Sequence, residues 1–260
     1  MDISVIEKVV REAARLMDAD FEVTEKDGCE NIVTSSDVAV QHYLVEHLKD
    51  VVPGAGFRCE EEDLDSGGAD SWTWVIDPID GTANYAHGIP ECCISVALAH
   101  GGEVVAAVVY IPRLGEMYSA QKGMGATLNG SPIHVSDKPY RQCIICTALC
   151  AYYKQYAPAC RDILMDVFST ANDFRRFGSA AAELCFLAAG RADLYFEVRL
   201  MPWDYAAAGL ILCEAGGAIC NHSGEWPSLD HADLIIGANS RKNLETLTET
   251  VHTHIPQKPY

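Results

Sequence analysis

Apolar positions along the chain switch between two periods. Ile6, Val9, Val10, Ala13 and Met17 recur at helical spacing with charged residues opposite, which predicts an amphipathic helix over 2–19. A turn at Lys26-Asp27-Gly28 leads into a short extended segment at Asn31-Ile32-Val33-Thr34. Ser35 and Ser36 are candidate caps for a second helix whose apolar face holds Val40, Tyr43, Leu44 and Leu48. Trp72, Trp74 and Ile76 then alternate with Thr73 and Val75, the period of a strand with one buried face. Strands follow at 92–99, 103–111 and 116–120, and the Gly101-Gly102 and Asn129-Gly130 pairs predict tight hairpins and an antiparallel sheet. Beyond Tyr140 the pattern is mixed: strands at 143–149, 174–177, 192–197, 218–220 and 233–237, and helices at 162–170, 180–189, 205–215 and after Asn239-Ser240.

The chemistry concentrates at the end of the first long strand. In W-T-W-V-I-D-P-I-D-G-T, Pro78 ends the regular run because it brings no amide hydrogen, so Asp77 is delivered to the strand mouth. Asp80 adds a second carboxylate, Gly81 permits a tight bend, and Thr82 is a candidate cap for the next element. Hard divalent cations prefer such oxygen ligands, which suits Mg2+ better than Zn2+. Gly81 and Thr82 amides are candidates to cradle a phosphate. Upstream, the acidic run Glu60-Glu61-Glu62-Asp63 is a further source of a metal ligand and a general base. Asp37 and Asp204 each stand at the start of a predicted helix, where capping alone accounts for a carboxylate.

Charge narrows the class of partner. Nineteen basic against 37 acidic residues give a formal charge of -18, which opposes nucleic acid and anionic membrane. A phosphate ester is repelled as well unless bound cations reverse the local sign, so the balance favours a metal-dependent site. Eleven cysteines, scattered through apolar segments without an export signal, read as reduced and buried. Cys143 and Cys146 form a C-x-x-C without a second pair to complete a zinc site, and His252 and His254 read as incidental. No stretch reaches membrane-spanning length, so the expectation is a soluble, cytoplasmic protein. No glycine-rich nucleotide fingerprint is present.

D-P-I-D-G-T, with Glu60-Glu61 before it and Trp203-Asp204 after it, resembles the inositol monophosphatase family of Mg2+-dependent, lithium-sensitive sugar phosphatases. The resemblance implies an α+β fold, a layered αβαβα sandwich of the inositol monophosphatase and fructose-1,6-bisphosphatase type, as one domain over 1–260. Its two intimate halves would be residues 1–140 and 141–260, and members are commonly homodimers. It further implies Glu60 and Asp77 as ligands of a first Mg2+ with the Ile79 carbonyl, and Asp77, Asp80 and Asp204 as ligands of a second. Thr82, beside Asp37, would orient the attacking water, with Glu60 activating it and Glu61 in support. Lys26 falls where the family carries a mobile-loop lysine, whereas Cys59 stands where the family often has glycine or serine. Asp80, Gly81, Thr82, Ala180 and Glu197 would contact a small phosphate ester. Inositol monophosphate is the favoured substrate, with fructose bisphosphate as rival if Arg199 or Arg175 holds a second phosphate. Histidinol phosphate, an adenosine bisphosphate and a noncatalytic regulatory binding role are the remaining alternatives.

Overall fold

A computed structural model describes residues 2–26, 32–61, 71–151 and 153–260. Asp27-Gly28, Asn31 and the Glu62-Asp63 end of the acidic run lie outside the described residues, as does Cys29. Helix α1 (Ile3–Ala13) is capped by Asp2, whose side chain accepts from the Ser4 amide, and it runs on into a 3-10 turn over Ala14–Asp18. Strands β1 (Val23–Glu25) and β2 (Ile32–Thr34) pair antiparallel before α2 (Ser35–Leu48). The cap of α2 is Thr34, not Ser35 or Ser36: Thr34 is the last extended residue, and both serines are already helical. Thr34 and Asp37 form a reciprocal capping box, with the Thr34 amide donating to Asp37 Oδ2 at 2.8 Å.

A seven-stranded sheet follows, in sequence order: β3 (Gly56–Cys59), β4 (Trp72–Asp80), then, past α3 (Thr82–Ala86), β5 (Cys93–His100), β6 (Glu103–Ile111), β7 (Glu116–Gln121), β8 (Ala126–Leu128) and β9 (Ser131–Pro132). Its neighbours are antiparallel except β3 beside β4, and the two glycine-bearing hairpins fall where their residues predict. The second half contributes β10 (Ile144–Thr147), α4 (Ala157–Thr170), β11 (Asp173–Arg175), α5 (Ala180–Ala188), β12 (Leu194–Leu200), α6 (Pro202–Glu214), β13 (Ala218–Cys220), β14 (Asp233–Ala238) and α7 (Arg241–His254). Here the sheet order is β11-β10-β12-β14-β13, with β10 parallel to both its neighbours. Hairpin signals thus described the first sheet and not the second, whose parallel pairs are joined through helices.

The layers run α1 and α2, first sheet, α5 and α6, second sheet, α4 and α7, an αβαβα sandwich. Both middle helices are apolar on nearly every side because a sheet covers each face. Alanines 206–208 and Gly209 keep α6 thin enough for that, since a Cβ on Gly209 would lie 3.2 Å from Ile219 Cδ1. The same packing corrects the expectation of one buried face on β4. Trp74 and Ile76 point into the core beneath α1 and α2, while Val75 enters the core around α5 and α6. Nor does β4 stop before Pro78. It continues to Asp80 through a bulge, pairing Asp77 with Ser95 and Asp80 with Cys93, so the residue without an amide hydrogen sits where the ladder is interrupted.

The described cysteines are free thiols, nearly all buried, and burial pushes Cys143 up to about 12, so the C-x-x-C packs as an apolar pair. His252 and His254 bond the His222 carbonyl and Asp166. Among the described residues no helix is long and apolar enough to cross a membrane.

Gly217 marks the tightest approach behind α6, where a Cβ would lie 2.4 Å from Leu212 Cδ1 and 3.0 Å from the Ala238 carbonyl. Gly217→Ala is expected to lower stability by about 1–3 kcal/mol through overpacking. Urea denaturation checks this; an unchanged midpoint would contradict the packing described.

Candidate active site

The bulge at the end of β4 sets the site. Asp77 Oδ1 accepts the Ile79 amide at 3.0 Å, and the Ile79 side chain is fully buried, which anchors the strand end. Gly81 then turns the chain at φ 86, a left-handed conformation, with space for a Cβ closed by the Glu91 carbonyl and Ser179 Cβ, both at 3.1 Å. Gly81 therefore takes the cap position of α3, and Thr82 is its first helical residue rather than its cap. The Thr82 hydroxyl is left to approach the Ile79 carbonyl at 3.0 Å and Asp37 Oδ1 at 3.2 Å. Asp37 reaches it from the capping box of α2, so one carboxylate both closes a helix and holds the threonine.

Other element ends face this one across a cleft of about 410 Å³. At the start of α5, the Ser179 hydroxyl and Ala181 amide each donate to Asp80 Oδ2 at 2.7 Å. The first turn of α5, which begins at Ala180, thus offers its unpaired amides to a carboxylate. Glu197 projects from β12, and Tyr195 donates its hydroxyl to Glu197 Oε2 at 2.8 Å. Asp204 enters from the first turn of α6, accepting the Met201 amide at 2.7 Å. Glu60 follows β3, where Lys26 Nζ lies 3.1 Å from it and 2.5 Å from Glu61. All ten residues singled out as ligands, catalysts or substrate contacts lie at this cleft: Asp37 beside it, behind Thr82, and Glu60, Asp77, Ile79, Asp80, Gly81, Thr82, Ala180, Glu197 and Asp204 along its wall.

Mutual repulsion is the electrostatic signature of the cleft. Burial first, then the charges of Glu60, Asp80 and Asp204, hold the Asp77 carboxyl well above its ordinary value. Asp204 is raised likewise, by burial and then by Asp80 and Glu60. Glu60 and Glu197 are each pushed up to about 7, mainly by burial, with Lys26 drawing Glu60 down. Asp37 is raised by burial against its hydrogen bonds from Thr34 and Thr82. Among the described residues no three carboxylate, thiol or imidazole groups close into a tight cage. The carboxylates line the cleft instead, each turned toward its own amide, hydroxyl or ammonium donor, as like charges do. The donor set, all oxygen and mutually repelling, fits a hard divalent cation such as Mg2+.

Several contributors were not visible in the residue pattern. Ser179, which with Gly178 opens the predicted helix over 180–189, caps α5 as expected; its hydroxyl bond to Asp80 is the part without a signal. Glu183 and Asn84 had no signal either: Glu183 Oε1 accepts the Phe177 and Gly178 amides at 2.6 and 2.9 Å, while Asn84 donates to the Glu91 and Phe177 carbonyls. Of the candidate basic residues, Arg199 lines the cleft. Arg175 is instead paired with Asp173 at 2.6 Å on the surface, and its neighbour Arg176 takes the position at the wall.

A profile of the inositol monophosphatase family matches residues 3–256. The chain belongs to the inositol monophosphatase family. A putative Nus factor SuhB from Neisseria meningitidis serogroup B is 35% identical over 254 residues, which covers 95% of this chain and 97% of the relative. Among solved structures, the extragenic suppressor protein suhB of Bartonella henselae is 28% identical at a TM-score of 0.88, covering 96% of this chain and 97% of that one. An IMPase of Thermotoga maritima is 29% identical at 0.85, covering 98% of both chains. Members of the family with these folds share the layered architecture described above.

Glu183 allows the charge burden to be measured away from the acidic ligand candidates. It is 2% exposed and pushed up to about 8, chiefly by burial. Between its ordinary value of 4.5 and about 8 the folded chain binds a proton that the unfolded chain has released, so rising pH removes stability across that window. Glu183→Gln keeps an oxygen for both amides and stays neutral. Its Tm in chelator is expected to fall less between pH 5 and pH 8 than that of the parent; parallel curves would contradict the assignment.

Proposed function

We propose that this chain is a Mg2+-dependent phosphate monoester hydrolase acting on a small polyol phosphate, inositol monophosphate before others. The observation that carries this reading is the meeting of Glu60, Asp77, Asp80 and Asp204 in one cleft beside the Thr82–Asp37 pair. Glu60, Asp77, Asp80, Asp204 and the Ile79 carbonyl are the groups that would hold Mg2+. Once bound, the ions supply the positive charge that a formal charge of -18 lacks, and they stabilise charge on the attacking and leaving oxygens.

The chain's own residues do the rest. Thr82 commits its hydroxyl hydrogen to Asp37 or to the Ile79 carbonyl, which leaves oxygen lone pairs to orient a water toward phosphorus. Glu60 accepts the proton of that water as its oxygen attacks; the phosphorus–ester oxygen bond breaks in line, and the leaving alkoxide takes a proton from solvent water to give the alcohol beside phosphate. Gly81 and Thr82 contribute amides to the phosphate oxygens. On the alcohol side, the Glu197 oxygen not engaged by Tyr195 accepts a sugar hydroxyl, with Asp80 and the α5 N-terminus at Ala180 beside it. No protein nucleophile is needed.

A noncatalytic binding role is the second reading, favoured by the Nus factor name of the Neisseria relative. Phosphate release from inositol 1-phosphate separates the two. Mg2+-dependent turnover that falls by about 10²-fold or more in Asp80→Asn, with the fold retained, supports hydrolysis. Absence of turnover on any small ester, or full turnover by Asp80→Asn in saturating Mg2+, would reject it.

A further inference from the structure

Strand β12 sets an acid and a base side by side. Glu197 and Arg199 stand two residues apart, about 7 Å along an extended chain, and both line the cleft. A carboxylate and a guanidinium at that spacing are natural partners for a bidentate pair. Among the described residues, however, no ion pair joins them. Glu197 takes the Tyr195 hydroxyl on Oε2, and the cation that bears most on it is Arg176, although Arg199 is nearer along the chain.

Aromatic rings hold Arg199 instead. Its guanidinium carbon lies 4.5 Å from the ring centroid of Tyr153, between β10 and α4, and 4.5 Å from that of Tyr260, in the segment after α7. That segment is tied down around an irregularity in β12, whose register against β14 shifts between Glu197 and Leu200. Tyr260 donates its hydroxyl to the Val198 carbonyl and Tyr156 donates to the Pro259 carbonyl, each at 2.9 Å, while Lys258 Nζ lies 3.5 Å from Asp233, the β14 partner of Leu200. Among the described residues Arg199 Nε is buried without a hydrogen-bond partner. Leaving a buried donor unmade costs free energy, so the rings hold the guanidinium against a demand that the neighbouring carboxylate would meet.

We propose that Tyr260, together with Tyr153, keeps Arg199 from pairing with Glu197 and so leaves one Glu197 oxygen open for a hydroxyl of the substrate alcohol. The inference rests on the polyol-phosphate reading above and adds two positioning residues to it. Arg199 is here a competitor for Glu197 and not a ligand of the ester. The segment after α7 is then a strap: seated on the second sheet it keeps the alcohol side of the cleft open, and lifted from it, it releases a guanidinium whose nearest acid along the strand is Glu197.

A coupled pair of substitutions tests this. KM and kcat are measured for inositol 1-phosphate and for phenyl phosphate, whose alcohol carries no further hydroxyl, in the parent, Tyr260→Ala and Tyr260→Phe. Tyr260→Ala is then repeated in an Arg199→Gln background. Calorimetry in Mg2+ follows affinity for the phosphonate of inositol 1-phosphate in which a methylene replaces the ester oxygen, so that attack of water releases nothing. Tyr260→Ala is expected to raise KM for inositol 1-phosphate by about tenfold, the value of one hydrogen bond to a charged group, with kcat little changed. KM for phenyl phosphate should hold, and Tyr260→Phe, which keeps the ring, should stay near the parent. With Arg199 replaced, Tyr260→Ala should no longer raise KM, because the competitor is gone. The proposal is overturned if Tyr260→Ala raises KM equally in both backgrounds, if it impairs phenyl phosphate in parallel, if Tyr260→Phe falls with it, or if it changes nothing; the rings are then a brace for the segment after α7. If neither ester is turned over, the hydrolase reading fails, and the same comparison made on phosphonate affinity still decides the role of the clamp, with no binding by the parent counting against it.

Discussion

Negative charge packed into one cleft is the constraint on which the rest of this structure depends. Burial raises the proton affinity of Asp77, Asp80 and Asp204 alike, and the charges of Asp80 and Asp204 add to it at Asp77, as that of Asp80 does at Asp204. Such groups oppose folding when ionised and uncompensated. The fold answers with local donors: the Ile79 amide for Asp77, Ser179 and the Ala181 amide for Asp80, and the Met201 amide for Asp204. These donors orient each carboxylate without bringing a positive charge of their own.

Gathering those donors is what the layered architecture does. Helices α5 and α6 lie between the sheets, and both begin at the cleft, so the start of α5 gives an amide to Asp80 at the end of β4 while the start of α6 carries Asp204. Alanine and glycine along α6 bring the sheets near enough for β12, in the second sheet, to face β4, in the first. The bulge at Pro78 and the left-handed turn at Gly81 then lift Asp77, Asp80 and Thr82 out of the ladder.

What could be read in advance divides along sequence distance. D-P-I-D-G-T was legible because its parts act within a few residues: a strand end, a proline without a donor, a glycine turn. Asp37 and Asp204 were legible twice over, since the capping that explains them is real in both cases and at the same time presents Asp37 to Thr82 and Asp204 to the cleft. Errors arose where a local rule had two candidates of the same type. Thr34 won the capping of α2 from Ser35 and Ser36 because the helix begins at Ser35, directly after the strand, and Gly81 displaced Thr82 because the turn needs a positive φ. Two-sided burial of β4 escaped a period-of-two reading because it depends on helices more than a hundred residues away in the chain. Arg176 and Tyr153 escaped for the same reason: each lines the cleft from a segment that carries no motif.

Along its length the cleft is electrically uneven, and this bears on how an ester is oriented. At one end, Glu60, Asp77, Asp80 and Asp204 converge, with the Lys26 ammonium at their edge. At the other, Arg176 and Arg199 join the wall around Glu197. The acidic groups repel an anion that Arg176 and Arg199 attract, and bound cations would reverse the sign at the acidic groups.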